Sequence, residues 1–175
     1  MKRLLLSLAV ATMAVCIAQA QVKKSTVPGI TNLAQVETTV ACAGAITPES
    51  VAGIRKMGYV AVINLRMASE EGAGIEAEEA AAKSAGIKFI HLPLNSAKPD
   101  PAVADRFLQV IAEPGNQPAF IHCHSGNRAA AMWLIKRVMI DNWDNDRASE
   151  EAAQLGLTNP GLKKFALDYI AAHKR

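Results

Sequence analysis

The chain has 175 residues, 50% of them hydrophobic, 20% charged and 5% aromatic, with three cysteines and a formal charge of +3. That length suits one domain, the apolar half excludes a charge-extended disordered chain, and three cysteines are too few for a disulfide scaffold. So small a basic excess also excludes a dedicated nucleic-acid binder.

The first twenty residues differ from the rest. Lys2 and Arg3 open an apolar run from Leu4 to Ile17, and Ala18-Gln19-Ala20 follows. This is the anatomy of a secretory signal, with small residues at the cleavage site. The run is shorter than the roughly 20 residues of a spanning helix, so residues 1–20 predict export to the periplasm or beyond, with no stable membrane anchor after cleavage. Cys16 follows bulky Val15, which makes it a poorer processing site than Ala-Gln-Ala downstream. Cleavage after Ala20 leaves 17 basic against 16 acidic residues, and two cysteines, Cys42 and Cys123.

Residues 21–31 are polar, contain Pro28-Gly29 and show no clear periodicity, so they are expected to form a leader over the surface of a domain spanning 32–175. Val36–Ala41 is a short β-like run. Thr47-Pro48-Glu49 starts a helix with a capping hydroxyl, proline in the first helical position and an acid at the positive end. Val51, Ile54 and Met57 share a face there, and Gly58 closes it. Tyr59–Leu65 is a continuous run with the character of a buried parallel strand. A helix over Glu76–Ala85 stops at Gly86. Ile87–Leu92 is a strand left at Pro93, Ala102–Ala112 a helix ended by Pro114-Gly115, and Pro118–Ile121 a third apolar strand. Helices follow at Gly126–Ile140, Asp146–Leu155 and Pro160–His173; Met132 and Trp133 read as core. The alternation predicts an α/β fold with a mostly parallel central sheet flanked by helices, and ligands at the carboxyl ends of its strands.

At one such end stands His122-Cys123-His124-Ser125-Gly126-Asn127-Arg128. A helix N-terminus offers unpaired N–H groups and a partial positive charge, which stabilise both a thiolate and an anion beside it. Gly126 lets the N–H groups of His124, Ser125 and Asn127 converge on a substrate anion. Arg128 adds a planar fork suited to a tetrahedral oxyanion. Two histidines with no third ligand at metal spacing are weak evidence for a metal, and none is expected.

The loop resembles the signature of the cysteine-based protein phosphatases, though four residues separate Cys123 from Arg128 where those enzymes have five. It is similar to the bacterial phosphatase-like family found beside or fused to β-lactamase-fold hydrolases, in its Cys-x-Ser-Gly-x-Arg loop, in Asn64-Leu65-Arg66 and in Glu70 and Glu71 just after. The resemblance runs from about Asn32 to about Leu157. It implies a dual-specificity-phosphatase-like fold, a phosphocysteine on Cys123, Arg128 on the phosphoryl oxygens and no cofactor. The implied partner is a phosphorylated protein or small molecule. His122 itself reads as a residue that fixes the loop by hydrogen bonds, and Arg66 as an ion-pair partner of Glu70 or Glu71.

Two departures matter. Asn95 stands where such enzymes carry a general acid, and the nearest substitute is Asp100, between Pro99 and Pro101. The six-residue loop also resembles that of rhodaneses, so sulfur transfer through a Cys123 persulfide is the alternative, alongside a binding module that kept the cradle and lost the acid. The order of elements and Asn64–Arg66 favour the phosphatase. In an exported protein Cys42 is either a redox partner for Cys123 or a small buried residue.

Overall fold

Six strands form one mixed sheet in the computed structural model, which describes residues 21–36 and 39–173. The export signal expected at 1–20 lies outside the described residues. The strands are β1 (Val22–Val27), β2 (Ile30–Val36), β3 (Val40–Ala43), β4 (Ala61–Asn64), β5 (Lys88–His91) and β6 (Ala119–His122). Their spatial order is β1-β2-β3-β6-β4-β5; β3, β6, β4 and β5 run parallel, while β1, β2 and β3 pair antiparallel.

The antiparallel arm corrects the expectation of a leader over 21–31. These residues form a hairpin, with Gly29 at its turn in the left-handed region (φ +77°). Strand β1 is an edge with no fully buried residue. An edge strand with lysines on it carries little of the apolar alternation by which strands are read.

Helices cover both faces. A 3₁₀ turn (Pro48–Ser50) leads into α1 (Val51–Lys56), and α2 is Ile75–Ala85. Thr47 precedes the turn without a side-chain cap, so the expected helix starts later and tighter. Val51, Ile54 and Ala82 from these helices pack with Ala41, Ala43, Val62 and Phe120 of the sheet. The opposite face carries α3 (Pro101–Ala112), α4 (Asn127–Met139), α5 (Asn145–Gln154) and α6 (Pro160–His173). There Cys42, Ile63, Ile121 and Cys123 join Phe107, Met132, Trp133 and Leu162. Side chains alternate along a strand, so the thiols of β3 and of the β6 exit both belong to the α4 side.

Helix α4 is the axis of that layer: Arg128 to Val138 are all buried, Met132 and Trp133 completely, as expected. Besides Arg128, its Lys136 and Arg137 therefore need partners inside. Glu151 of α5 accepts from Arg137 Nε (2.7 Å) and Nη2 (3.0 Å) and from Trp133 Nε1 (2.7 Å), and Lys136 Nζ reaches Asp141 at 2.7 Å. These contacts fix the helix whose first turn forms the site. No described helix is long and apolar enough to cross a membrane.

Candidate active site

Strand β6 ends at His122 and α4 begins at Asn127, so Cys123 to Gly126 turn between a buried strand and a helix N-terminus. The turn is gripped from outside. Cys123 N–H donates to Ala43 O (3.2 Å), Ala45 N–H to His124 O (2.9 Å), and Asn32 Nδ2 to Ser125 O (3.2 Å). A peptide unit is planar and trans, so its C=O and N–H point oppositely. Holding the carbonyls of His124 and Ser125 outward turns the N–H groups of Ser125 and Gly126 inward. The Gly126 N–H indeed donates to Cys123 Sγ at 3.1 Å. Gly126 adopts φ +98°, while an added Cβ meets nothing nearer than 3.6 Å. The glycine is required for its backbone angle rather than for space.

Asn32 reaches the loop because of a β-bulge. Ser25 pairs Leu33 but Val27 pairs Ile30, so Thr31 and Asn32 oppose Thr26 alone. Asn32 takes the left-handed conformation (φ +49°) and its amide is aimed at a residue 93 positions away. On the other side Asn127 Oδ1 accepts from the N–H groups of Thr158 and Asn159, each at 2.7 Å. The Asn127 side chain thus fastens the loop to the entrance of α6. His124 and Ser125 are exposed at the mouth.

Arg128 lies one turn of backbone behind the sulfur and is only 5% exposed. Its Nη1 donates to Leu65 O (3.0 Å), Leu94 O (2.9 Å) and Glu70 Oε1 (2.5 Å), and Nη2 to Glu70 Oε2 (2.8 Å). Burial opposes its charge, but the bonds to Glu70 and the nearby Cys123 outweigh that and raise its pKa. Burial also pushes Glu70 up, yet Arg128, the Met67 N–H and Arg66 bring its carboxyl down to about 2. Arg66 donates to Glu70 (3.3 Å) and to the carbonyls of Glu71 and Gly72 (2.6 Å each), which folds residues 67–72 around the carboxylate. Glu70 pairs with Arg66, as the sequence suggested, and it also aims Arg128, which the sequence did not show.

His122 is fully buried, and its Nε2 lies 3.1 Å from Glu78 Oε2, off the line a hydrogen bond needs. Glu78 in turn accepts from Asn64 Nδ2 (2.6 Å), and Asn64 Oδ1 from the Arg66 N–H (2.7 Å). His122 therefore supports the strand end by packing, without the hydrogen bonds expected of it. His122 is buried, whereas His124 is exposed at the mouth.

Among the described residues no hydrogen bond joins the acid candidate to the loop. Leu94 O touches Arg128, which puts Asn95 at the rim, but Asn95 Oδ1 folds back onto the N–H groups of Ala97 (2.9 Å) and Lys98 (3.4 Å). Asp100 caps α3, accepting from Ala102 N–H at 2.9 Å, with Pro101 in the first helical position.

Cys42 and Cys123 are both buried and both free. Burial foremost, then the neighbouring Cys123, pushes the Cys42 thiol up, so it stays protonated. Native protein treated with iodoacetamide at neutral pH is expected to take label at Cys123 and not at Cys42, with Cys42 recovered as a free thiol after denaturation. Label on Cys42 in the native protein, or a Cys42–Cys123 link in unreduced protein, is the contrary result of peptide mass mapping.

Comparison with known proteins follows the same residues. The family model described as beta-lactamase hydrolase-like protein, phosphatase-like domain, matches residues 32–140. A beta-lactamase hydrolase-like protein from Xylella fastidiosa (strain Temecula1) is 27% identical over 126 residues, 71% of this chain. The match spans only 28% of that relative's length. Among solved structures, a DUF442 protein from Shewanella putrefaciens CN-32 superposes with TM-score 0.69 at 19% identity, covering 84% of this chain and 96% of that one. TpbA of P. aeruginosa superposes at 0.65 and 20% identity, covering 89% and 91%. A variant of TpbA has been crystallised in complex with pTyr.

Proposed function

The chain belongs to the phosphatase-like domain family of the beta-lactamase hydrolase-like proteins, and from that premise we propose that it hydrolyses phosphate monoesters, phosphotyrosine among them, through Cys123. The carrying observation is the Gly126 N–H held on Cys123 Sγ at 3.1 Å with Arg128 clamped beside it. In the first step Sγ attacks phosphorus, an S–P bond forms, and the P–O bond breaks with its electron pair leaving on the ester oxygen. In the second, water attacks the phosphocysteine, releasing inorganic phosphate and restoring the sulfur anion. The inward N–H groups and the α4 terminus are fixed before the charge develops, so they stabilise it without reorganising. Arg128 spends Nη1 and one Nη2 proton on Glu70 and the two carbonyls; of its five donors, Nε–H and the second Nη2–H remain for the phosphoryl oxygens.

The proton for the leaving group is the weak point. Asn95 has none to give, and Asp100 is engaged at the start of α3. Turnover is therefore expected to favour esters of acidic alcohols such as phenols, and to fall steeply as the leaving group becomes more basic. Family membership and the sheet order support phosphoryl over sulfur transfer. Cleavage of residues 1–20 would put this activity outside the cytoplasm.

The test is hydrolysis of p-nitrophenyl phosphate by reduced protein, with acid-stable labelling of Cys123 in a rapid quench. Loss of turnover in Cys123→Ser, with no thiocyanate made from thiosulfate and cyanide by the wild type, is the expected result. Turnover unchanged in Cys123→Ser, or thiocyanate in place of phosphate, overturns the reading.

A further inference from the structure

A groove of about 810 Å³ opens beside the loop, lined by Ser125 and Asn127 of the loop and by Lys24 of β1. One wall is the β1–β2 hairpin, including Thr31 and Asn32; the facing wall is the turn at Leu155, Gly156 and Thr158. The proposed chemistry uses only the loop end of it.

Strand register decides where Lys24 points. Lys24 pairs directly with Ala34, and Ala34 with Cys42. Directly paired residues on adjacent antiparallel strands share a face. Lys24 is therefore on the face of Cys42 and Cys123, the side on which the groove lies. Its Cα is two residues along and one strand over from Asn32, on the order of 8 Å by strand spacing. Asn32 itself is bonded to Ser125. No described acidic side chain lines the groove, and the rest of its polar lining is hydroxyl and amide. A cation on a flexible stem thus lines the same trough as the cradle's Ser125 and Asn127, and the trough is far larger than a phosphate.

We propose that this groove receives the leaving group of the ester, and that Lys24 selects for a second anionic group on it. The inference rests on the proposed phosphomonoester hydrolysis and adds a substrate preference. A carboxylate of a phosphopeptide and a second phosphate on a small molecule both supply such an anion; the recognition chemistry is the same.

The experiment compares wild type, Lys24→Gln and Lys24→Glu on phosphotyrosine peptides in which a single Glu or Gln is walked from three residues before to three after the phosphotyrosine. A parallel arm sets fructose 1,6-bisphosphate against fructose 6-phosphate as competitive inhibitors of peptide turnover, because a sugar alkoxide leaves poorly without an acid. The readout is the ratio of kcat/KM, or of 1/Ki in the sugar arm, within each matched pair. One exposed ion pair is worth about twofold to fivefold. Wild type is expected to prefer the anionic member by that factor, Lys24→Gln to lose the preference and Lys24→Glu to invert it. Preference in the peptide arm or in the sugar arm alone identifies the source. Ratios that do not respond to Lys24 in either arm overturn the proposal while leaving the hydrolysis intact. If no ester is turned over, the hydrolysis itself fails, and the same ratios are read as Kd values for the Cys123→Ser protein, where a Lys24-independent result again rejects the groove.

Discussion

Arg128→Lys is expected to lower kcat/KM for p-nitrophenyl phosphate by about 10²- to 10³-fold, the loss seen when one preorganised oxyanion donor is removed. The charge is conserved, so the reason is geometric. Nη1 alone serves three acceptors, Leu65 O, Leu94 O and Glu70 Oε1, and Nη2 serves Glu70 Oε2. An ammonium drawn to that cluster spends its three protons there and has none left for the ester. The guanidinium satisfies the same acceptors and still presents two N–H groups in a plane. The loss should fall on kcat as well as KM, because the missing bonds strengthen as the phosphoryl group is transferred. Circular dichroism and the urea midpoint separate this effect from unfolding. Activity of Arg128→Lys within fivefold of wild type, with an unchanged fold, means that Arg128 does not touch the transferring group.

The parts of this site that are legible in the sequence are those built from neighbours in the chain. Strand β6, the turn at Gly126 and the start of α4 are contiguous, and their apolar run, glycine and helical spacing mark them directly. The parallel half of the sheet is equally legible, since β4 and β6 are short buried runs in the middle of a two-sided fold and β5 beside them continues an apolar stretch to Leu92. The hairpin is not, because β1 is a solvated edge with lysines where a buried strand shows alternation. Asn32 depends on a bulge, and a register shift of one residue leaves no mark on composition. Glu70 bonds a residue 58 positions away, and an acid after a strand has many candidate partners. Asp100 carries two readings in the sequence: between two prolines it is the nearest candidate acid, and an Asp before a proline is also the signature of a helix cap, whose hydrogen bond to Ala102 is present.

Glu70 carries the second large effect, and on stability as much as on rate. Glu70→Ala leaves the 5%-exposed Arg128 without a counter-charge and frees the 67–72 loop from Met67 and Arg66. Breaking a fully buried pair costs about 3–5 kcal/mol; Glu70 is 25% exposed, so about 2 kcal/mol is expected after allowing for solvent screening. Activity should drop with it, because a guanidinium no longer held by two carboxylate oxygens loses its aim at the sulfur. Glu70→Gln keeps the shape and one acceptor and should be milder in both respects. The sign of the pH dependence follows from the depressed carboxyl, ordinarily near 4.5 and here about 2. Between those values the unfolded chain takes up a proton that the folded chain refuses, so the contribution of Glu70 is full above about pH 4.5 and drains away toward pH 2. Urea unfolding at pH 7 and at pH 3 therefore gives a wild-type advantage over Glu70→Gln that shrinks at the lower pH. An advantage that stays constant, or grows, shows that the Glu70–Arg128 pair does not hold this site together.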